Sequence, residues 1–515
     1  MKNHYTSRSS RGVGTAVGVI REDSDGKQLK MLLKIVIIST SFKYRSHIGA
    51  NGTHSGKTMT DDNLHKLSRR SIVKATGLAG AAGMTGLAGC TGGDGGDGGS
   101  DGGDGGNGST DGGDGGDGGS GSNTFEIVHW WTAGGEQEAL TALLEGFQEQ
   151  YSDIEVENNP APGGAGSALD TVIKNRVLNQ NPPSTFQIWP GKALYPYTEA
   201  DILNDISDSV WSNNNMEGNY LQGVKDAAKA GTDNFVSVPI NIHRLNNLFY
   251  NKSVVESAGV DPTNIGDPSA LLGAMETVAQ ETDATPMAHQ TQSPWSSVQL
   301  WETILIGEAG VDTFQTFTSG DVASVESEVK SALTRVKEYS NHFPEDAGSI
   351  SWDQGNSMVV NGEAAFIHQG DWAAGQYKAA DGFEYDSDWG NVAFPGTEGV
   401  YSLVMDSFVF PKNNPSPDAT TKFLTYCGTK DAQKRFNTKK GSIPPRTDVS
   451  MDEFGPFLQA QSEDFANSES QPATIGHGTA VRPEIKSNIE GAFASFHESY
   501  DVNGTYDELV SAFDV

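Results

Sequence analysis

Tryptophan recurs beside polar side chains where strands and loops should end: Trp130-Trp131, Trp189, Trp295, Trp352 and Gly370-Asp371-Trp372. An indole face stacks on the apolar C–H face of a sugar ring, while carboxylates and amides at the ring edge take its hydroxyls. Residues of these types suit non-covalent capture of a carbohydrate, although a tryptophan taken singly is more often a packing residue. Signatures of covalent chemistry are missing. The sequence has no HExxH zinc helix and no GxxxxGK[ST] phosphate loop, and its two cysteines, Cys90 and Cys427, cannot form a cysteine-rich metal site. Gly98-Gly99-Ser100-Asp101-Gly102 matches GxSxG, but a nucleophile elbow needs a strand before it and a helix after it, and here the flanks are glycine and aspartate. No cofactor or metal is expected.

The elements that must position the tryptophans begin at Thr124. A short strand at residues 125–130 precedes a helix from about Glu136 whose Leu140, Leu143, Leu144 and Phe147 share one face. A second strand follows at 153–157, then a glycine-rich turn at Gly163-Gly164-Ala165-Gly166 and a helix through Leu169, Val172, Ile173 and Leu178. A third strand lies at 185–188. This β-α-β-α-β alternation argues for a parallel sheet covered by helices. Further helical patterns near 268–281, 321–341, 416–428 and 486–498 alternate with apolar runs at 235–240, 364–368 and 402–409. Cys427 closes the third of these helices ahead of Gly428, and reads as a buried, inert thiol. About 390 residues of such texture exceed one α/β core, so two lobes are expected.

With 515 residues, 36% of them hydrophobic, the chain can bury a sizeable core. Its formal charge of -32 repels polyphosphate backbones, which disfavours nucleic-acid binding, and suits a surface that must stay hydrated in concentrated salt. Ser68-Arg69-Arg70 followed by a weakly apolar Gly/Ala stretch and Leu87-Ala88-Gly89-Cys90 combines a twin-arginine export signal with a lipobox. Cys90 is then the lipid anchor, and the protein is expected on the outer face of the cell membrane. Residues 59–90 form the signal, and 1–58 are a misassigned start or an extension. Residues 91–123, nearly all Gly, Asp and Ser, form a flexible linker. Asn251-Lys252-Ser253 and Asn503-Gly504-Thr505 are formal glycosylation sequons.

Eight segments in one order carry a more specific signal: Trp130-Trp131-Thr132-Ala133-Gly134-Gly135-Glu136, Gly163–Gly166, Asn181-Pro182-Pro183-Ser184, Val238–Arg244, Gly370-Asp371-Trp372-Ala373, Asp406-Ser407-Phe408, Lys440–Pro444 and His477-Gly478. Over residues 124–515 the chain resembles the extracellular sugar-binding proteins of ATP-driven importers, most nearly a glucose-binding branch. The resemblance implies a two-lobed α/β periplasmic-binding fold of the maltose-binding type, with a ligand cleft and three hinge crossings. By analogy the crossings lie near Asn241, His368–Gly370 and Leu403–Asp406, giving one lobe of 124–242 with 370–403 and another of 243–369 with 404–515. It implies a monomer that binds a sugar, docks on a permease with its ATPase, and is no enzyme.

Carried over by position, the implied sugar contacts are Trp130, Trp131, Glu136, Gln187, Trp189, His243, Trp295, Asp371, Trp372, Asp406, Lys440 and His477. Trp295 would stack from the second lobe, Asp371 would accept hydroxyl protons, Lys440 would donate to hydroxyls, and His477 would reach the ligand. His243 is equally compatible with a hinge role. Gln187-Ile188-Trp189-Pro190-Gly191 departs from the glucose-binding pattern, which carries histidine or lysine after the third strand. An indole there exchanges polar readout for stacking, which puts glucose itself in question and is compatible with another hexose or a longer saccharide. Two other readings keep part of this chemistry: a tethered glycoside hydrolase using two of the 67 acidic residues, and a binding protein for a polyol.

Overall fold

The computed structural model describes residues 123–161 and 166–515. The export signal, Cys90, the linker up to residue 122 and Gly163-Gly164-Ala165 lie outside the described residues. Among those described, no helix is long and apolar enough to cross a membrane.

Eleven strands build the framework: β1 (Thr124–His129), β2 (Glu155–Pro160), β3 (Thr185–Ile188), β4 (Ser237–Pro239), β5 (His243–Arg244), β6 (Asn247–Asn251), β7 (Thr285–Met287), β8 (Ala364–Gln369), β9 (Trp389–Ala393), β10 (Leu403–Val404) and β11 (Ser407–Val409). The first sheet runs β2-β1-β3-β11-β4 and the second β7-β8-β6-β9, with β5 and β10 paired between them in the chain. As the β-α-β-α-β pattern requires, β1 is parallel to both β2 and β3. β11 enters the same sheet antiparallel to β3 and β4.

Alternate side chains of the strands enter apolar clusters on opposite faces, so both sheets are covered on both sides. In the first sheet Phe125, Ile127 and Phe408 join one cluster, and Val128, Phe186 and Val409 the other. In the second, Leu248 and Phe366 face one way, Phe249 and Ile367 the other. The helix Gly134–Gln150 docks on the first sheet through Leu140, Leu143, Leu144 and Phe147, all buried. The helical patterns near 268–281, 321–341, 416–428 and 486–498 correspond to Pro268–Glu281, Glu326–Tyr339, Pro417–Cys427 and Pro483–Ser499. Cys427 is free and buried, and burial pushes its thiol pKa well up.

The strand pairing divides the chain differently from the lobe boundaries read by analogy. β9 pairs with β6, which puts 389–393 in the second sheet, whereas β11 joins β3 and β4 in the first. The helices Pro417–Cys427 and Lys430–Lys440 follow β11, with Phe423 and Phe436 in a core cluster of the first sheet. The chain passes between the sheets through β5 and through β10, near two of the expected crossings. It does not pass at His368–Gly370. β8 is buried along its whole length between β7 and β6, so it sits inside the second sheet, and the chain returns to that sheet at β9. The third passage falls after Lys440, since Phe454, Phe457 and Leu458 pack with Phe249 and Trp389. These pairings join residues far apart in sequence, which local analogy does not order.

Asn251 is only 6% exposed and caps the helix Lys252–Ser257: its side chain accepts from Val254 N and donates to the Val359 carbonyl at 2.9 Å. That sequon is unsuited to carry a glycan in the folded protein.

Candidate functional site

The carboxyl ends of β1 and β3, the start of β11, and the ends of β7 and β8 converge on one cavity of about 190 Å³. Ligands of open α/β sheets bind at this edge, where strand ends leave a crevice. Ten of the twelve implied residues line it: Trp130, Trp131, Glu136, Trp189, His243, Trp295, Trp372, Asp406, Lys440 and His477. Six of the nine tryptophans take part, Trp352 among them.

Adjacent rings meet edge-on or tilted. Trp189 lies 5.2 Å from Trp130 and 5.2 Å from His477, and His477 lies 5.2 Å from Trp372 and 5.6 Å from Trp295. Trp131 is set by the turn after β1: its backbone N–H donates to His129 Nδ1 at 3.0 Å, while His129 Nε2 contacts Asn158 Oδ1 at 2.5 Å. Its ring is nearly fully buried against Phe408 and Phe436. Trp131 therefore serves the core as well as the cavity wall.

Gln187 and Asp371 do not line the cavity; both act from behind it. Gln187 accepts from Trp130 N at 3.1 Å and donates to Asp406 Oδ1 at 3.0 Å. Asn241 donates to the other oxygen of Asp406 at 2.8 Å and accepts from Asp406 N at 2.6 Å. Asp406 is thus locked in one orientation. Burial opposes its charge, but the hydrogen bond from His243 and the field of Lys440 outweigh that and hold its pKa down at about 2. It stays ionised at neutral pH.

Asp371 does not face the cavity as an acceptor. It is fully buried, contacts His243 Nδ1, and accepts from Arg244 N at 3.1 Å. Trp372, one residue on, is the side chain that the turn after β8 presents to the cavity. Burial and Lys440 oppose a proton on His243, yet the carboxylates of Asp371 and Asp406 raise its pKa overall. His243 thereby ties the turn after β8 to the segment before β11.

Lys440 ends the helix Lys430–Lys440 and meets Glu136, in the first turn of Gly134–Gln150, at 2.6 Å. Lys440 also sits over the Trp131 and Trp372 rings, 5.8 Å from each centroid. Burial raises the Glu136 pKa although Lys440 opposes the shift. Three main chains touch around this pair. A Cβ on Gly135 would meet the Lys439 carbonyl oxygen at 2.6 Å, one on Gly375 would meet it at 2.7 Å, and one on Gly441 would meet the Asp371 carbonyl oxygen at 2.6 Å.

His477 is held through its neighbours, because buried Glu302 accepts from Ile475 N at 2.6 Å and Gly476 N at 3.3 Å. Burial pushes the Glu302 carboxyl up to about 8 and the His477 ring down to about 3, so His477 is neutral at pH 7. Trp131 Nε1, Trp295 Nε1 and His477 Nδ1 are buried without a hydrogen-bond partner in the structure.

Gln290, Gln292, Ser293, Ser351 and Asp353 also line the wall and were not singled out from the sequence. They stand in short polar runs around Trp295 and Trp352, and that nearness to tryptophan is the one local signal that marks them.

A small cavity walled by aromatic and polar groups, between two α/β sheets that the chain joins by repeated passages, defines a solute receptor of the two-lobed kind. Maltose-bound MalE3 of T. maritima shares the fold, with a TM-score of 0.60 at 19% identity over 75% of this chain and 98% of that one. The chain belongs to the bacterial extracellular solute-binding proteins, whose family model matches residues 142–463. The xylose/arabinose-binding protein XacG of Haloferax volcanii is 40% identical over 390 residues, spanning 75% of this chain and 84% of XacG. An uncharacterized ABC transporter extracellular-binding protein of Pyrococcus horikoshii is 34% identical over 388 residues, spanning 75% of this chain and 86% of that protein.

Proposed function

We propose that this protein captures a monosaccharide, a pentose or hexose, outside the cell and delivers it to the permease of an ATP-driven importer. The carrying observation is the cavity of about 190 Å³, in which six indoles stand beside ionised Asp406, the Glu136–Lys440 pair and neutral His477. Drug-sized ligands occupy pockets of roughly 300–1,000 Å³, so the space suits one sugar ring rather than a chain of them. The similarity to a xylose/arabinose-binding protein favours pentoses within that class.

Binding proceeds by closure of the two sheet-bearing units about the passages through β5 and β10, driven by contacts that exist only when they meet. The lipid on Cys90, the twin-arginine route, the linker of residues 91–123 and a monomeric state belong to the same proposal. So does adaptation of the acidic surface to concentrated salt.

The hydrolase reading needs a carboxylic acid free to protonate a leaving group. Glu136, with its raised pKa, is the candidate, but Lys440 engages its carboxylate. Isothermal titration with xylose, arabinose, glucose, galactose, a polyol and several disaccharides tests the proposal. Saturable heat with a monosaccharide is expected, together with a ligand-dependent rise in melting temperature. Heat from a polyol alone would move the ligand class, and release of reducing ends from oligosaccharides would establish the enzyme instead.

A further inference from the structure

Trp189 occupies a place that no other indole of the cavity shares. It leads a segment, residues 189–199, that packs along a second segment, residues 477–486, contributed from the far side of the cavity. Lys192 Nζ donates to the Ala480 carbonyl at 2.6 Å, and Arg482 grips the Glu199 carboxylate with two bonds of 2.7 and 2.8 Å. At the inner end of this seam Trp189 lies edge-on to His477 at 5.2 Å, with Lys486 Nζ 5.7 Å from its ring centroid. Gly478, at φ +65°, comes so close that a Cβ there would stand 3.3 Å from Trp189 Cε3. The indole is only 8% exposed although it lines the cavity.

From this we infer that Trp189 is the residue that sets ligand length. It is a wall across one end of the cavity, backed by Gly478, that stops the space after a single ring. The inference rests on the sugar-binding reading and adds a size determinant to it. A second sugar unit at this end would need the volume that the indole fills, and the backing chain has no side chain at Gly478 that could move aside in its place. Truncating Trp189 takes one ring contact from Trp130 and one from His477, while Trp295 and Trp372 keep their own contacts with His477.

The experiment compares the wild type with Trp189→Ala and Trp189→Phe, titrating each with xylose, glucose and the disaccharides xylobiose and maltose. The expected result is a wild type that binds a monosaccharide and rejects both disaccharides. Trp189→Ala then keeps monosaccharide binding, weakened about tenfold, and gains at least tenfold in affinity for a disaccharide, while Trp189→Phe remains selective. Circular dichroism of each variant confirms folding. A folded Trp189→Ala that still excludes disaccharides overturns the inference, as does one that loses all binding, which would make Trp189 a platform for the ring. A wild type that binds disaccharides best also overturns it but leaves the sugar-binding reading intact. A wild type that binds no sugar removes that reading and the inference with it.

Discussion

Replacing Lys440 by methionine tests the most consequential electrostatic feature of the site. The substitution keeps an unbranched apolar stem and removes the ammonium that sits over the Trp131 and Trp372 rings, 2.6 Å from Glu136. The side chains are 2% and 12% exposed, so solvent does little to screen the pair. Removing one partner of a buried pair costs about 3–5 kcal/mol because the other charge is left uncompensated. That is roughly a fifth or more of a typical domain's stability. The loss depends on pH. Without Lys440 the folded-state pKa of Glu136 rises further above its ordinary value of 4.5, where burial already pushes it. A carboxyl with a raised folded pKa contributes stability that is present below the unfolded pKa and falls as pH rises from there to the folded value.

Urea denaturation of Lys440→Met at pH 5 and pH 8 should therefore show a larger deficit at pH 8, little altered by added salt. Adding Glu136→Gln should recover part of that deficit and remove its pH dependence, while sugar binding stays impaired if Lys440 donates to the ligand. A deficit below about 1 kcal/mol at pH 8, or one that Glu136→Gln does not relieve, would refute the view of a desolvated, mutually dependent pair.

Three further outcomes follow from the geometry. Asp371→Asn removes one of the two carboxylates that favour a proton on His243, so the His243 pKa, followed by NMR, should fall and affinity should drop although Asp371 does not line the cavity. Glu302→Gln should flatten the decline in stability between about pH 4.5 and 8 that the raised Glu302 pKa imposes on the wild type; a denaturation series across that window reads the difference, on the order of a few kcal/mol. Trp295→Ala, losing a stacking face worth about 0.5–1.5 kcal/mol, should weaken sugar binding roughly three- to tenfold by calorimetry while leaving the fold intact.

The helices and the first three strands were legible because their apolar spacing is local. Leu140, Leu143, Leu144 and Phe147 mark one face whatever the rest of the chain does. The division between sheets was not, since β9 and β11 reach theirs through partners far along the chain, Phe249↔Asn391 and Phe408↔Gln187 among them. In the site, tryptophans announced themselves by type, but orientation is a matter of one backbone turn. Asp371 and Trp372 are adjacent, and only the structure shows which of them faces the cavity. Gln290 and Ser351 carry no mark of their own, because small polar residues fill most loops.

The contact of bare main chains at Gly135, Gly375 and Gly441 bears on how tightly any sugar is held. Apparent affinity equals intrinsic affinity scaled by the fraction of molecules able to close. If the two units close on a sugar as proposed, a methyl group at Gly375, which would meet the Lys439 carbonyl oxygen at 2.7 Å, would lower that fraction without replacing a residue that lines the cavity. Every sugar would then bind more weakly by the same factor, and the order of preference among them would be untouched. On that reading the strength of binding and the choice of sugar would be set at separate places in the molecule.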